Sequence, residues 1–294
     1  MYAAIDIGSN TVRLAVFEFK DGRLVRTYDK KYMAKLIRHI ADGMLSSAAV
    51  HMLAEILKEY KSIAENMGVN ALYVFATASL RAVSNCDDIL LFIKRETGLD
   101  IDIISGMQEA RLSFLALQTV FPCDTCLITD IGGGSSEIIV AENGNISNSD
   151  SLAAGSLKMY MKYVKNIIPT FDEAEQIKNE ITDMLKHSFK KQQFDTLIGI
   201  GGSIKAFGKL ISSLTPASFN DIIDINSLRS ICLTFTENPS YAISLINNII
   251  PDRLTTLLPG ALIADAISEY FACREIKICH FGVREGYIME KISK

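Results

Sequence analysis

Short apolar segments alternate along this chain with longer segments in which apolar residues recur at helical spacing. Apolar runs predict strands at 2–7, 71–77 and 101–105, and alternating residues predict strands that start at 11 and 23. Helical spacing predicts helices over residues 46–67, 85–97, 107–121 and 172–191. Apolar residues at 278–281 predict a last strand, followed by a short C-terminal helix. This order of elements predicts an α/β fold.

Two segments of the chain share one pattern, AAIDIGSNTVRLAVFEFKDG (3–22) and LITDIGGGSSEIIVAENG (127–144). Each has a buried strand that ends in Asp-Ile-Gly, a turn of small residues, a second strand, and a hairpin turn that ends in glycine. A third glycine loop follows a strand and opens a helix in TLIGIGGSIKAFGKL (196–210). The repeat lies at domain-sized spacing and therefore predicts two related α/β domains.

The glycines at 132–134 do not fit the two common nucleotide loops. A Walker loop needs a following lysine, which is absent in that register, and both the Walker and Rossmann loops lead into a helix. Here the glycines lead into a β-branched strand, which leaves a β-hairpin phosphate loop. Glycine lets backbone N–H groups approach an anion closely. Asp130 would repel phosphate unless a divalent cation lay between them, so its position indicates Mg²⁺ or Mn²⁺. An ordinary glycine-rich hairpin with a hydrogen-bonded aspartate is the alternative.

Composition narrows the class of protein. The chain has 294 residues, of which 49% are hydrophobic and 22% charged, as expected for a soluble globular protein. Its net charge of −4 argues against a general nucleic-acid binder. No apolar run is long enough for a membrane span, and the start of the sequence lacks the basic region of a secretory signal, so we expect a cytoplasmic protein. Six cysteines are scattered, and a single CxxC pair favours reduced, mostly buried thiols over zinc.

Seven segments together resemble the exopolyphosphatase / guanosine pentaphosphate phosphohydrolase (Ppx/GppA) family of the sugar kinase–Hsp70–actin superfold. They are AAIDIGSNTVRL (3–14), FATASLRAVSN (75–85), ISGMQEARLSFLAL (104–117), ITDIGGGSSEIIV (128–140), LAAGSLKM (152–159), IGIGGSIKA (198–206) and FGVREG (281–286). The resemblance implies two actin-like, ribonuclease H-like domains around a central cleft. We expect domain I at 1–122 and domain II at 123–294, with the helix at about 284–294 able to pack back on domain I. The chain resembles the short form, without the extra C-terminal helical domain.

Two residues carry the catalytic hypothesis. Glu109 lies in the first turn of a predicted helix, and the resemblance makes it the general base that activates water. The family usually has two consecutive acids here, whereas this chain has Gln108 before Glu109. Arg81 follows a buried strand and would bind a terminal phosphate with a forked hydrogen bond. Without the resemblance, Glu109 would be interpreted as an acid that stabilises the N-terminus of a helix, and Arg81 as one partner of a surface ion pair.

The remaining candidates bind phosphate or metal. Expected phosphate-binding residues are Ser9, Asn10, Gly132, Gly133, Gly134, Ser135, Ser136, Gly201, Gly202 and Ser203. Asp130 is the first metal candidate and Asp6 the second. Glu137 is expected to point into the cleft through strand alternation, and Arg284 either contacts substrate or braces the domain boundary.

The resemblance predicts hydrolysis of the terminal phosphoanhydride of inorganic polyphosphate, with Mg²⁺ or Mn²⁺ as cofactor. Guanosine pentaphosphate is the alternative substrate. Two other classes stay open at this point: an ATP-dependent small-molecule kinase of the same superfold, and a non-catalytic protein that binds polyphosphate or a guanine alarmone. No nucleic-acid or membrane partner is expected, and the family resemblance is compatible with a homodimer.

Overall fold

The computed structural model describes residues 1–20, 23–214 and 220–293. Its strands are β1 (Tyr2–Ile7), β2 (Val12–Lys20), β3 (Arg23–Tyr32), β4 (Ile40–Ala41), β5 (Met44–Leu45), β6 (Ala71–Ala76), β7 (Asp102–Ile103), β8 (Cys126–Ile131), β9 (Ser136–Glu142), β10 (Asn145–Leu152), β11 (Thr196–Ile200), β12 (Ile222–Asp224) and β13 (Glu275–Ile278). Its α-helices are α1 (Ser47–Asn66), α2 (Ala78–Arg81), α3 (Cys86–Thr97), α4 (Gly106–Val120), α5 (Ser156–Tyr163), α6 (Phe171–Ser188), α7 (Gly201–Leu214), α8 (Ile225–Glu237), α9 (Pro239–Ile249), α10 (Leu257–Tyr270) and α11 (Val283–Ile292).

The chain forms two compact units. Residues 1–116 and 283–294 make the first unit, and residues 117–282 make the second. The division falls within α4, a few residues before the predicted boundary at 122/123, and α11 is part of the first unit.

The first unit contains a five-stranded sheet in the order β3-β2-β1-β6-β7. β1, β2 and β3 pair antiparallel, whereas β6 and β7 continue the sheet parallel to β1. Alternate residues of β1 face opposite layers, because side chains alternate along a strand. Ile5 and Ile7 pack in a cluster with residues of α1 and α3, while Ala4 packs on the other face with Tyr287 of α11.

The second unit repeats this arrangement. Its sheet has the order β10-β9-β8-β11-β13-β12, in which β8, β9 and β10 pair antiparallel and β11 and β13 continue parallel to β8. β12 adds an antiparallel strand at the edge. The sequence repeat at 3–22 and 127–144 thus corresponds to the first two strands of each sheet. The predicted α/β fold built from two related sheets is confirmed.

Most predicted elements match the structure within one to three residues at their ends. The predicted turn at 20–22 falls mainly on residues 21 and 22, which lie outside the described residues. The strand predicted at 278–281 is wrong in position, because pairing of Thr196–Gly199 with Glu275–Ile278 places β13 earlier. In β13 the polar residues Glu275 and Lys277 alternate with buried isoleucines. The strand therefore has no continuous apolar run by which the sequence could have located it. Within the described part of the chain, no helix is long and apolar enough to cross a membrane.

The cysteines differ from the expectation of reduced thiols. Cys123 and Cys126 form a disulfide, while Cys86, Cys232, Cys273 and Cys279 are free. The prediction was wrong for this pair because sequence spacing alone gives no Cα separation. That separation is 6.2 Å, within the range a disulfide spans.

Candidate active site

The carboxyl ends of three neighbouring parallel strands lie side by side in the first unit. β1 leads to the loop with Ser9 and Asn10, β6 leads to Arg81, and β7 leads into α4, which carries Glu109. Ligands of open α/β sheets bind beyond this end of the strands. The fold therefore brings together residues that are far apart in the sequence.

Glu109 and Arg81 contact each other directly. Arg81 Nη1 lies 3.4 Å from Glu109 Oε2 and donates a 2.9 Å hydrogen bond to the Ile104 carbonyl oxygen. Glu109 is 8% exposed, so its carboxylate is buried beside a cation. Burial penalises a charged carboxylate and the nearby guanidinium favours it. The pair holds the carboxylate in a defined position without covering it completely.

The start of α4 explains the glutamine that precedes Glu109. Ser105 precedes the helix, and its hydroxyl oxygen accepts a 3.2 Å hydrogen bond from the Gln108 backbone N–H. The Gln108 side-chain oxygen in turn accepts a 2.7 Å hydrogen bond from the Ser105 backbone N–H. This reciprocal pair is a capping box, which glutamine and glutamate can both complete. Gln108 therefore fixes the first turn of the helix, and Glu109 is directed towards Arg81.

The loop after β1 is held by backbone hydrogen bonds. The Ser9 carbonyl accepts from Ile37 N–H at 3.2 Å, and the Asn10 carbonyl accepts from Lys35 N–H at 2.9 Å. Asn10 is 5% exposed, and among the described residues neither its side-chain nitrogen nor its side-chain oxygen has a hydrogen-bond partner. Leaving such a buried amide unpaired is costly, so it marks a place for a polar ligand or water.

Asp6, the second metal candidate, lies among arginines. Its cross-strand neighbour on β2 is Arg13, and Arg284 Nε lies 3.8 Å from its carboxylate. Arg284 belongs to α11 in the same unit as Asp6, and its Nη1 is 4.0 Å from Asp29. Asp29 also accepts two 2.6 Å hydrogen bonds from Arg13. Positive charge around Asp6 weakens its case as a metal ligand.

The glycine loop of the second unit packs against the start of α5. The Gly132 carbonyl accepts from Ser156 N–H at 2.9 Å, and the Gly133 carbonyl accepts from Leu157 N–H at 3.0 Å. In a trans peptide the N–H of the next residue points opposite to the carbonyl. The N–H groups of Gly133 and Gly134 therefore point away from α5, on the same side of the loop. Two adjacent donors of this kind form an anion-binding surface.

A glycine is required on the α5 side of this contact. A Cβ atom at Gly155 would lie 2.4 Å from the Gly133 carbonyl carbon and 2.5 Å from the Gly134 nitrogen. No other side chain fits at 155 without moving the loop backbone.

Two of the predicted phosphate-binding serines have hydroxyls that are directed into the protein. The Ser203 hydroxyl donates to Ser156 Oγ at 3.3 Å, and Ser156 Oγ donates to the Gly132 carbonyl at 3.1 Å. The Ser136 hydroxyl donates to the Ala154 carbonyl at 2.5 Å. These serines position the loop, whereas Ser135, 6% exposed, lies within it.

Asp130 and Glu137 are cross-strand neighbours on β8 and β9. Glu137 is 1% exposed and accepts a 2.7 Å hydrogen bond from the Ser151 hydroxyl. Directly opposed residues have side chains about 5 Å apart, and like charges there are unfavourable. The corresponding position opposite Asp6 is an arginine, so the cross-strand neighbours of the two aspartates have opposite charge.

The loop at the start of α7 adjoins Asp130. Gly201 has φ of 87°, and a Cβ there would lie 2.2 Å from Asp130 Oδ1. A Cβ at Gly202 would lie 2.2 Å from Arg253 Nη2. Arg253, which follows α9, was missed from the sequence because no motif joins it to the glycine loop. Its guanidinium adds positive charge at a helix N-terminus that already favours anions.

A metal ion at these positions would need carboxylate ligands. The described residues contain no cluster of three or more His, Cys, Asp or Glu side chains arranged for a metal ion. Mg²⁺ bound beside phosphate oxygens needs only one or two carboxylates and keeps several waters. Asp130, next to Glu137 and bordered by glycines, fits that requirement.

The first unit thus carries a buried Glu–Arg pair at the carboxyl ends of its central strands, and the second carries oriented N–H donors and a carboxylate pair. These are groups that a phosphate-handling enzyme uses. The chain belongs to the Ppx/GppA phosphatase family, whose model matches residues 19–294.

Named relatives are similar over nearly the whole chain. Exopolyphosphatase 1 of Mycobacterium leprae is 24% identical over 300 residues, which cover 98% of this chain and 88% of that protein. A guanosine-5'-triphosphate,3'-diphosphate pyrophosphatase of Photobacterium profundum is 23% identical over 100% of this chain and 60% of its own length. The crystal structure of the Aquifex aeolicus Ppx/GppA family member aligns with a TM-score of 0.82 and 26% identity, covering 99% and 97% of the two chains.

Proposed function

We propose that this protein hydrolyses the terminal phosphoanhydride of inorganic polyphosphate, using water activated by Glu109. The observation that carries the proposal is the buried Glu109 carboxylate, held 3.4 Å from Arg81 at the carboxyl ends of β1, β6 and β7. The name of the Mycobacterium leprae relative supports the substrate.

In this proposal the first unit activates water and binds the phosphate to be released. Glu109 orients a water molecule and accepts its proton. Arg81 has further N–H donors for the terminal phosphate oxygens, whose charge it would offset during transfer. The unpaired Asn10 amide and the Ser9 loop would donate to the same phosphate.

The second unit has phosphate-binding groups of its own. The N–H groups of Gly133 and Gly134 would donate to phosphate oxygens, as would the amides at Gly201 and Gly202 where α7 begins. Asp130, supported by Glu137, would hold Mg²⁺ or Mn²⁺. That ion would supply neutralisation of the phosphate charge. Ser136 and Ser203 would keep the glycine loop in place through the hydroxyl contacts described above.

Guanosine pentaphosphate is the second candidate substrate. The Photobacterium profundum relative carries a name for this type of reaction, and both substrates present a terminal phosphoanhydride to the same groups. Cleavage of either bond would use the same water, base and arginine.

The decisive measurement is phosphate release with Mg²⁺ from polyphosphate, guanosine pentaphosphate and ATP. We expect release from polyphosphate, and a loss of at least about 100-fold in Glu109→Gln, the range general bases supply. Polyphosphate binding by Glu109→Gln should persist, since the amide keeps the shape of the side chain. Glu55→Gln is a matched control, because Glu55 is an exposed glutamate on α1.

ATP-dependent phosphorylation of an acceptor would indicate a kinase instead. Binding without release by the wild type would indicate a non-catalytic sensor.

A further inference from the structure

The disulfide between Cys123 and Cys126 lies where the chain leaves α4 and enters β8. Gln118 holds this turn from the end of α4, with Nε2 donating to the Cys123 carbonyl at 3.0 Å and Oε1 accepting from Cys123 N–H at 3.3 Å. Cys126 is the first residue of β8. The phosphate chemistry described above uses neither sulfur.

Both cysteines line one pocket of about 400 Å³ in the second unit. Aromatic and charged side chains surround the disulfide there, among them Phe121, Phe194, Glu275 and Lys277. Lys277 Nζ lies 4.1 Å from the centre of the Phe121 ring. The pocket is large enough for a small molecule, and its walls combine apolar surface with charge.

The two sulfurs differ in accessibility. Cys126 is 6% exposed and Cys123 is partly exposed. In thiol–disulfide exchange a thiolate attacks one sulfur and the other leaves, so access decides which sulfur is attacked. Attack from the pocket would reach Cys123 and release Cys126.

The pocket is lined by one cation, Lys277, and two carboxylates, Asp195 and Glu275. Glu275 accepts a 2.8 Å hydrogen bond from the Thr196 hydroxyl, and the exposed Asp195 side chain lies 3.7 Å from Arg274 and is largely screened by solvent. The Lys277 ammonium lies over an aromatic face, an arrangement that leaves N–H donors for a further group.

We propose that Cys123 and Cys126 form a thiol–disulfide exchange site for a low-molecular-weight thiol that carries a carboxylate. The external thiolate attacks Cys123 Sγ, the Cys123–Cys126 bond breaks, and Cys126 leaves as a thiolate that takes up a proton. A second external thiolate then attacks the sulfur of the bound small molecule and releases Cys123. The protein disulfide and two thiols thereby become a protein dithiol and one small-molecule disulfide.

Counting thiols on the full chain tests the site. After incubation with dithiothreitol or with an oxidised dithiol, the protein is acid-quenched, unfolded and labelled with a maleimide. We expect four labels in the oxidised form, from the four free cysteines, and six in the reduced form. Cys123→Ser should give five labels under both conditions, and Cys86→Ser should keep the difference of two. A pair that never oxidises, or never reduces while folded, would overturn the site.

The ligand class is tested with three small thiols: 3-mercaptopropionate, neutral 2-mercaptoethanol and cationic cysteamine. Reduction rates are taken per thiolate and divided by the rate of the same thiol with a small-molecule disulfide, so that differences in thiol pKa and in intrinsic nucleophilicity both cancel. We expect 3-mercaptopropionate to react about two- to fivefold faster than 2-mercaptoethanol, as one partly exposed ion pair allows. Lys277→Gln should remove that preference and leave the neutral rate unchanged. Equal rates for all three thiols with the wild type would refute carboxylate recognition.

Discussion

At the scale of single residues, Gln108 shows how a departure from a family pattern can be structural. The family usually has acids at both 108 and 109, and this chain keeps only the second, Glu109. The side chain of Gln108 is occupied by the backbone of Ser105, and Glu109 is the residue that meets Arg81. An amide makes that capping bond as well as a carboxylate does.

This assignment predicts that Gln108→Ala affects stability more than catalysis. Loss of one capping hydrogen bond should lower the free energy of unfolding by about 0.5–1 kcal/mol, measured by urea denaturation. The turnover number should stay within about fivefold of wild type, because Gln108 bonds to the Ser105 backbone and not to a reacting group, and even 1 kcal/mol on the barrier is about fivefold. Gln108→Glu is the control that restores the bond and should behave as wild type. A Gln108→Ala variant that folds normally but releases no phosphate would contradict the assignment of the acid to Glu109.

At the scale of elements, the sequence predicted the strand–turn–strand units and the helices well, because their periodicity is local. It did not predict the hydrogen-bond partners of the serine hydroxyls. Ser136 and Ser203 were expected to bind phosphate, yet their hydroxyls bond to Ala154 and Ser156. Those partners come from the β10–α5 connection, which contacts the glycine loop only after folding. Arg253 likewise comes to lie beside Gly202 only after folding, since the two residues are distant in the sequence.

The contact between the glycine loop and α5 gives an element-scale prediction. Gly155→Ala would place a methyl group within 2.4 Å of the Gly133 backbone, which must shift. Because loop N–H groups are proposed to bind phosphate, we expect a rise in KM for polyphosphate of at least about tenfold, equivalent to one lost hydrogen bond to a charged group.

Gly144→Ala is the matched control, since Gly144 lies in the β9–β10 turn with φ of 71°. Alanine there costs about 1 kcal/mol of stability through backbone strain and leaves the glycine loop untouched. If both variants lose stability equally and neither changes KM, the loop does not bind substrate.

At the scale of the whole molecule, the duplicated aspartate hairpin was visible in the sequence, but the difference between its copies was not. Asp6 and Asp130 occupy matching strand ends, with an arginine opposite the first and a glutamate opposite the second. Arg284 of α11 adds a second cation near Asp6, through a contact that spans most of the chain. The metal proposal therefore rests on the second hairpin for a reason that only the fold supplies.

Each unit also buries a weak acid, which makes the free energy of unfolding fall as the pH becomes alkaline. Burial raises the pKa of the Cys273 thiol to about 12 in the second unit. In the first unit, burial and the hydrogen bond that Tyr287 donates to Asp102 raise the pKa of the Tyr287 hydroxyl well above its usual value. Both groups stay protonated in the folded protein at pH values where the unfolded chain ionises.

The stabilisation from these groups is fully present at a pH below the pKa of the group in the unfolded chain, which is about 8.5 for cysteine and about 10 for tyrosine. It is lost as the pH rises towards the higher pKa of the group in the folded protein. Each group contributes a slope of about 1.4 kcal/mol per pH unit in that window.

Tyr287→Phe lacks the hydrogen bond to Asp102 and should be about 1 kcal/mol less stable than wild type at pH 7. Its deficit should shrink above pH 10, because phenylalanine cannot ionise when the chain unfolds. Urea unfolding at pH 7, 9, 10 and 11 measures this difference, with the exposed Tyr241→Phe as control. A deficit for Tyr287→Phe that stays constant up to pH 11 would show that the Tyr287 hydroxyl ionises as readily in the folded protein as in the unfolded chain.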